Sequence, residues 1–186
     1  MAQKILVLKG SPRRNGNSAA LADQAIKGAL ENGAEVEQFV LDAMKIRPCT
    51  ACDECRRGTP ECVIKDDMQK IYPKIRWANV IILASPIYFF TMSAQMKLCI
   101  DRWYALLKAG ESAFEGKKIG ILLSFGDTDV NSSGAINAIH TFQDMFDYLD
   151  CEIAGMVYGS ADKSGEITAQ KEVMDQAFAL GCKLAA

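Results

Sequence analysis

The sequence predicts an α/β chain, with five parallel strands forming one sheet and helices covering both of its faces. Three observations lead there. Short apolar runs alternate with helical repeats along the whole chain, and no internal repeat or low-complexity segment interrupts them. Ile5-Leu6-Val7-Leu8 and Val80-Ile81-Ile82-Leu83-Ala84 are apolar at every position, as strands buried on both faces are. Finally, the polar segment from Gly10 to Ser18 lies between the first such run and a helical pattern, where sheets of this class bind anions.

Each element follows from its residues. After Ile5–Leu8, the residues Leu21, Ala25, Ile26, Ala29 and Leu30 recur at helical spacing, and Asn32-Gly33 stops that helix. Val36 to Leu41 reads as a second strand whose imperfect alternation suits a sheet edge. A polar stretch from Asp42 to Lys65 follows, with Pro48, Gly58, Pro60 and a group of cysteines; connections this long inside a domain are usually functional or disordered. Asp66-Asp67 reads as the cap of a helix through Met68, Ile71 and Ile75 to Trp77, with Pro73 counting against its regularity. Val80–Ala84 is the third strand, Ser85–Met92 its loop, and Ser93 caps a helix carrying Met96, Ile100, Trp103 and Leu107. Ile119–Leu123 is the fourth strand, Ser124–Thr128 its loop, and Ile136 to Leu149 a helix. Cys151–Tyr158 is the fifth strand, Gly159–Gly165 a loop, and Val173, Ala177 and Leu180 mark a closing helix. A phosphate-type loop after the first of five strands fits a flavodoxin-like three-layer sandwich with strand order 2-1-3-4-5. Residues 1–186 are expected to form a single domain with a cysteine-rich insertion at about 43–65.

Composition bounds the function. A net charge of −2 offers no basic field for nucleic acid. The longest strongly apolar run is far too short to span a bilayer, and a strand pattern begins within a few residues of Met1, which leaves no room for a signal peptide. The expected location is the cytoplasm, where seven cysteines do not read as a disulfide framework. His140 is the sole histidine, which argues against a catalytic triad or a histidine-rich metal site.

Gly10-Ser11-Pro12-Arg13-Arg14-Asn15-Gly16-Asn17-Ser18 places hydroxyls, amides and guanidinium groups around a helix start, a suitable set of donors for phosphate. It lacks the Gly-Lys-Ser/Thr ending of a P-loop and the third glycine of the dinucleotide fingerprint. Asp42 alone is a weak ribose-binding acid. A loop rich in side-chain donors suits a terminal phosphate monoester such as that of FMN. Pro86-Ile87-Tyr88-Phe89-Phe90 supplies a flat apolar wall for the flavin ring, and Ser124 to Thr128, with Gly126, a third wall.

Together with Ser85-Pro-Ile-Tyr-Phe-Phe90 and Ser93-Ala-Gln-Met-Lys97…Asp101-Arg102, the Gly10–Ser18 segment resembles the NAD(P)H-dependent FMN reductase group of flavodoxin-like proteins. The resemblance implies FMN, with its phosphate on the loop of Ser11, Arg13, Asn15, Gly16, Asn17 and Ser18. It implies a ring resting on Pro86, Ile87, Tyr88 and Phe89, and the third wall read from the loop adds Ser124, Gly126 and Asp127 to the expected site. It also implies homodimers or homotetramers. Lys97, Asp101 and Arg102 are read as helix and interface residues.

Cys49-x-x-Cys52-x-x-Cys55, followed by Cys62, suits a soft metal centre. The spacing resembles the compact motif of the iron–sulfur flavoproteins, a branch of the same group. That resemblance implies a [4Fe-4S] cluster exchanging single electrons with FMN and with a ferredoxin-type partner. Structural zinc and a metal-free loop stay open as alternatives. Cys99, Cys151 and Cys182 read as small core residues. The expected function is an FMN-dependent oxidoreductase that passes electrons from NAD(P)H or a reduced carrier to a quinone, flavin, nitro compound or carrier protein. The alternative is an electron-transfer protein with a cluster, linked to ferredoxin.

Overall fold

The structure is a computed structural model that describes residues 2–57, 62–108 and 111–186. Its parallel strands are β1 (Lys4–Lys9), β2 (Glu35–Val40), β3 (Val80–Tyr88), β7 (Lys118–Phe125) and β8 (Glu152–Ser160). Their order is β2-β1-β3-β7-β8, the expected 2-1-3-4-5. The smaller strands are β4 (Thr91–Met92), which pairs antiparallel with β3, and the two-stranded pair β5 (Leu107–Lys108) and β6 (Glu111–Ser112). The helices are α1 (Asn17–Glu31), α2 (Glu54–Arg57), α3 (Met68–Trp77), α4 (Ala94–Asp101), α5 (Ala135–Tyr148) and α6 (Lys171–Ala185).

The period-two rule distributes the core. Leu6 and Leu8 of β1, Ile81 and Leu83 of β3, and Ile119, Ile121 and Leu123 of β7 face one layer, with α3, α4 and α5. Ile5 and Val7, Val80 and Ile82, and Leu122 face the other, with α1 and α6. Those two helices touch backbone to backbone. A Cβ on Gly28 would lie 2.2 Å from the Phe178 carbonyl, and one on Gly181 1.9 Å from that of Ala25. β2 is the edge strand, as its alternation suggested, with no fully buried residue.

Several boundaries differ from expectation, each for a local reason. The second strand ends at Val40, and Leu41 turns into a 3₁₀ turn, Leu41–Ala43, that buries its side chain. The third strand runs on to Tyr88 because pairing with β4 extends it, so the expected loop is a hairpin. Its two tip residues, Phe89 and Phe90, have φ of 48° and 68°, the left-handed pattern of a two-residue type I′ connection. Ser124 and Phe125 belong to β7 and Gly159 and Ser160 to β8, because these neighbouring strands pair through their last residues. Cys151 precedes β8 instead of lying in it.

The helix expected to reach Leu107 stops at Asp101. A 3₁₀ segment, Arg102–Leu106, replaces its end, and Leu107 opens β5. The change falls where Arg102 turns inward to meet Asp66. Ser93 caps α4 as expected, accepting from the Met96 amide at 3.3 Å. Before α3 it is Asp66 that accepts from the Met68 amide, at 3.1 Å, while Asp67 accepts from the Lys45 amide and pairs with Lys70. α3 continues through Pro73. Among the described residues, no helix is long and apolar enough to cross a membrane.

Candidate functional site

The carboxyl ends of the central strands open into a cavity of about 610 Å³ including its open mouth. Ser11, Arg13, Gly16 and Asn17 line it from the β1–α1 loop, Pro86, Ile87 and Tyr88 from the β3 end, Ser124, Phe125 and Gly126 from the β7 end, and Ala161 and Asp162 after β8. It stands at the β1/β3 switch point, where the strand order reverses. Three segments distant in sequence and expected to form one site therefore meet.

The β1–α1 loop is held from within. Ser11 Oγ accepts from the Arg13 amide and donates to the Arg13 carbonyl, each at 3.1 Å. The Gly16 amide donates to that same carbonyl at 3.0 Å. A Cβ on Gly16 would come within 2.7 Å of Ser11 Oγ, so glycine keeps the cradle open. The first amides of α1 have no intrahelical partners, as at every helix start. Ser18 Oγ is buried there without a hydrogen-bond partner among the described residues. A buried, unsatisfied hydroxyl at a helix start is what an anion-binding cradle leaves when its anion is not counted. The donor set thus fits a phosphate.

Asn17 lines the cavity as expected, and its side chain has further partners. Its amide donates to the carbonyls of Ala161 and Lys163, both at 3.0 Å, and its oxygen accepts from the Ile167 amide at 3.3 Å. Its side chain is thereby committed to fixing the β8–α6 loop against α1. Glu166 holds the same loop, accepting from the Asp162 and Lys163 amides at 2.9 Å, and these bonds keep its carboxyl below the usual range. Asn15, Ser18, Phe89 and Asp127 do not line the cavity. Asn15 is exposed and accepts from Ser164 through its carbonyl, and Asp127 binds the adjacent Thr128 amide. Phe89 is 99% exposed at the hairpin tip. Beside it, Phe90 packs on Gly134, whose φ of 72° and close contact both require glycine, and its carbonyl accepts from Asn137 at 3.1 Å. Asp42 accepts from Gln95 at 3.0 Å and is not in the cavity.

Phe125 lies in the expected third wall, whereas Ala161 and Asp162 were missed from the sequence. The latter two sit just past the carboxyl end of β8, and that position was the available signal.

The cysteine segment forms a second hollow, of about 360 Å³ including its open mouth. Cys49, Cys52, Cys55 and Cys62 all line it, with Ile64, Arg102 and Ala105 among the other walls. Cys49 and Cys52 are exposed, whereas Cys62 is buried. Ala51 and Asp53 take left-handed φ of 51° and 57°, so the chain coils tightly between the first three cysteines. Burial pushes the Cys55 thiol up, and its neighbours Cys62, Cys52 and Cys49 push it further. Among the described residues, no three His, Cys, Asp or Glu gather closely enough to hold one metal ion. The thiols surround a space and do not converge on a point. Four thiols are the donor set of an iron–sulfur group and of structural zinc alike, and Arg102 adds a cation to the wall.

Cys62 is the fixed corner, receiving Arg102 Nη2 at 3.2 Å. Arg102 is fully buried and pairs with Asp66 at 2.6 Å, so it is not the interface residue the sequence suggested. Lys97 and Asp101 instead form an exposed pair on α4. Burial raises the Asp66 carboxyl, but hydrogen bonds from Arg102 and from the Arg47 and Met68 amides outweigh it and leave it below the usual range. Cys99 is buried away from this hollow and its thiol is pushed up to about 12, while Cys151 and Cys182 are only partly buried.

Residues 3–166 match the family described as NADPH-dependent FMN reductase. An iron–sulfur flavoprotein of Archaeoglobus fulgidus is 37% identical over 139 residues, 74% of this chain and 70% of that protein. One from Methanosarcina thermophila is 36% identical over 138 residues, 74% of this chain and 71% of that protein. Among solved structures, the NAD(P)H:quinone oxidoreductase of Methanothermobacter marburgensis superposes with a TM-score of 0.73 at 17% identity, covering 100% of this chain and 98% of that one. An FMN-dependent NADH-azoreductase of Bacillus anthracis, in complex with FMN, superposes at 0.72 and 14% identity over 99% and 100%. At such identities the superpositions speak for the fold alone, which is flavodoxin-like. The chain is an oxidoreductase and belongs to the NADPH-dependent FMN reductase family, with iron–sulfur flavoproteins among its relatives.

Proposed function

We propose that the chain, as one domain, binds FMN in the cavity at the β1/β3 switch point and uses it to carry electrons from NAD(P)H or a reduced carrier to an acceptor. The observation that carries this is the meeting of the β1–α1 loop, the β3 end and the β7 end around one cavity. Bound there, FMN would supply hydride and electron acceptance, chemistry that no side chain of the cavity supplies. The chain's residues bind and orient. Arg13, the Ser11 hydroxyl and the free amides of α1 hold the phosphate. Pro86, Ile87 and Tyr88 form the wall for the ring. Asn17 and Glu166 keep the β8–α6 loop in place. Gly126 leaves room for close approach, since a Cβ there would lie 3.3 Å from Asp162.

The ring of four cysteines favours a second role beside the first. Cys49, Cys52, Cys55 and Cys62 would hold a [4Fe-4S] cluster, which supplies one-electron transfer when bound. The acceptor would then include a ferredoxin-type protein besides quinones, nitro compounds or free flavin. The assembly we propose is a homodimer or homotetramer in the cytoplasm, with the exposed Phe89 tip in reach of a second copy.

Titration of the flavin-free chain with FMN and with riboflavin tests the central assignment. FMN should bind at least about a hundredfold more tightly, roughly 2.7 kcal/mol for the phosphate contacts. Equal affinities would remove the phosphate loop from the site.

A further inference from the structure

We infer that Arg102 is the fixed cation of the cysteine hollow, a positioning residue that orients Cys62 and raises the reduction potential of a cluster bound there. This rests on reading the hollow as a cluster site. A fully buried guanidinium is costly unless its charge and its N–H groups are met. Among the described residues, every hydrogen-bond partner of the Arg102 guanidinium lies on the segment that carries or borders the cysteines, while its carbonyl accepts from Tyr72 of α3 at 3.3 Å. Nη1 donates to the Arg47 carbonyl at 2.8 Å and to Asp66 at 2.6 Å. Nη2 reaches Asp66 at 3.3 Å, the Ile64 carbonyl at 3.4 Å and Cys62 Sγ at 3.2 Å. Arg102 itself belongs to the 3₁₀ segment after α4, so it clasps the cysteine segment to the body of the fold.

A structural clasp needs only the carbonyls and the carboxylate. The bond to sulfur goes beyond that, and Arg102 also forms part of the wall of the hollow. Among the described residues its Nε has no partner, so the donor capacity of this buried group is not exhausted by the protein. Hydrogen bonds to sulfur and nearby net charge set the potential of an iron–sulfur group. A cluster gains negative charge on reduction, so a cation bonded to its ligand stabilises the reduced form.

The test uses the FMN-loaded chain and its Arg102→Gln, Arg102→Lys and Asp66→Asn variants, reconstituted anaerobically with iron and sulfide. Cluster potentials are read by EPR-monitored redox titration, with iron content and flavin absorbance beside them. R102Q should shift the potential negative, R102K should restore most of it, and D66N, which removes an anion beside the cation, should shift it positive. If R102Q does not fold, the sign of the D66N shift decides alone: positive supports the inference, and zero or negative overturns it. Loss of iron in all variants with an unchanged potential in the remaining cluster shows a clasp only and overturns it too. Failure of the wild-type chain to take up iron overturns the cluster reading and this inference together, whereas an unmoved potential in a wild-type-like cluster overturns this inference alone.

Discussion

The two hollows are built on opposite terms. The cavity at the switch point is lined by the ends of strands whose central residues are fully buried, and its β1–α1 loop is bonded internally. The cysteine hollow is fixed at a single corner. Cys62 is buried and bonded to Arg102, while Cys49 and Cys52 face solvent on a backbone with left-handed residues that are not glycine. On the proposed reading, the sheet prepares the first site before FMN arrives, whereas a cluster in the second would have to draw the outer thiols in, as metal sites commonly do.

The largest effect that would break this contrast lies at the corner. Asp66→Asn leaves Arg102 buried without its counter-charge and should cost about 3–5 kcal/mol in urea unfolding. The pH dependence of wild-type stability sharpens the point. The folded Asp66 carboxyl titrates below its unfolded value, so its contribution is fully present above the ordinary carboxylate pKa of about 3.9. The contribution is lost as pH falls through the lower, folded value, and D66N should not show that loss.

Arg13→Ala comes next. It removes a cation from the cavity wall and should weaken FMN binding by about 1.5–3 kcal/mol, read by fluorescence titration, with iron uptake unchanged. Ser18→Ala separates a ligand contact from a structural one. Its hydroxyl has no hydrogen-bond partner among the described residues, so the flavin-free chain should be no less stable; a fall of about 1 kcal/mol in FMN affinity would show that it reaches the phosphate although it does not line the cavity. A loss of stability without a loss of affinity would make Ser18 a core residue only.

The smallest effect concerns the hairpin tip. Phe89→Asn puts a residue tolerant of left-handed φ at a strained, exposed position and should raise stability by about 1 kcal/mol. Light scattering on the same variant asks whether the tip seats a second copy, in which case the oligomer should weaken.

The sheet was legible because each central strand is buried on both faces and is written as an unbroken apolar run, such as Val80–Ala84. The cavity was half legible. The β1–α1 loop announced its donors, but whether a donor points inward depends on partners far away in sequence. Asn17 looks like a phosphate ligand until the carbonyls of Ala161 and Lys163 claim it. Ala161 and Asp162 carry no motif and enter only because β8 ends beside the cavity. The cysteine spacing was plain, yet Arg102 was not. A guanidinium in a helical pattern reads as surface, and only its long-range pairing with Asp66 shows it to be buried. The hairpin was hidden because Phe89-Phe90 lacks the Asn-Gly signature of its turn.

The most direct test of a prepared flavin cavity beside a ligand-organised cysteine site is the visible spectrum of the anaerobically purified chain, with its flavin and iron content. Stoichiometric FMN together with iron and sulfide is the predicted result, the iron being lost in Cys62→Ala while the flavin stays. A chain that carries no flavin and binds none when FMN is added would contradict the account.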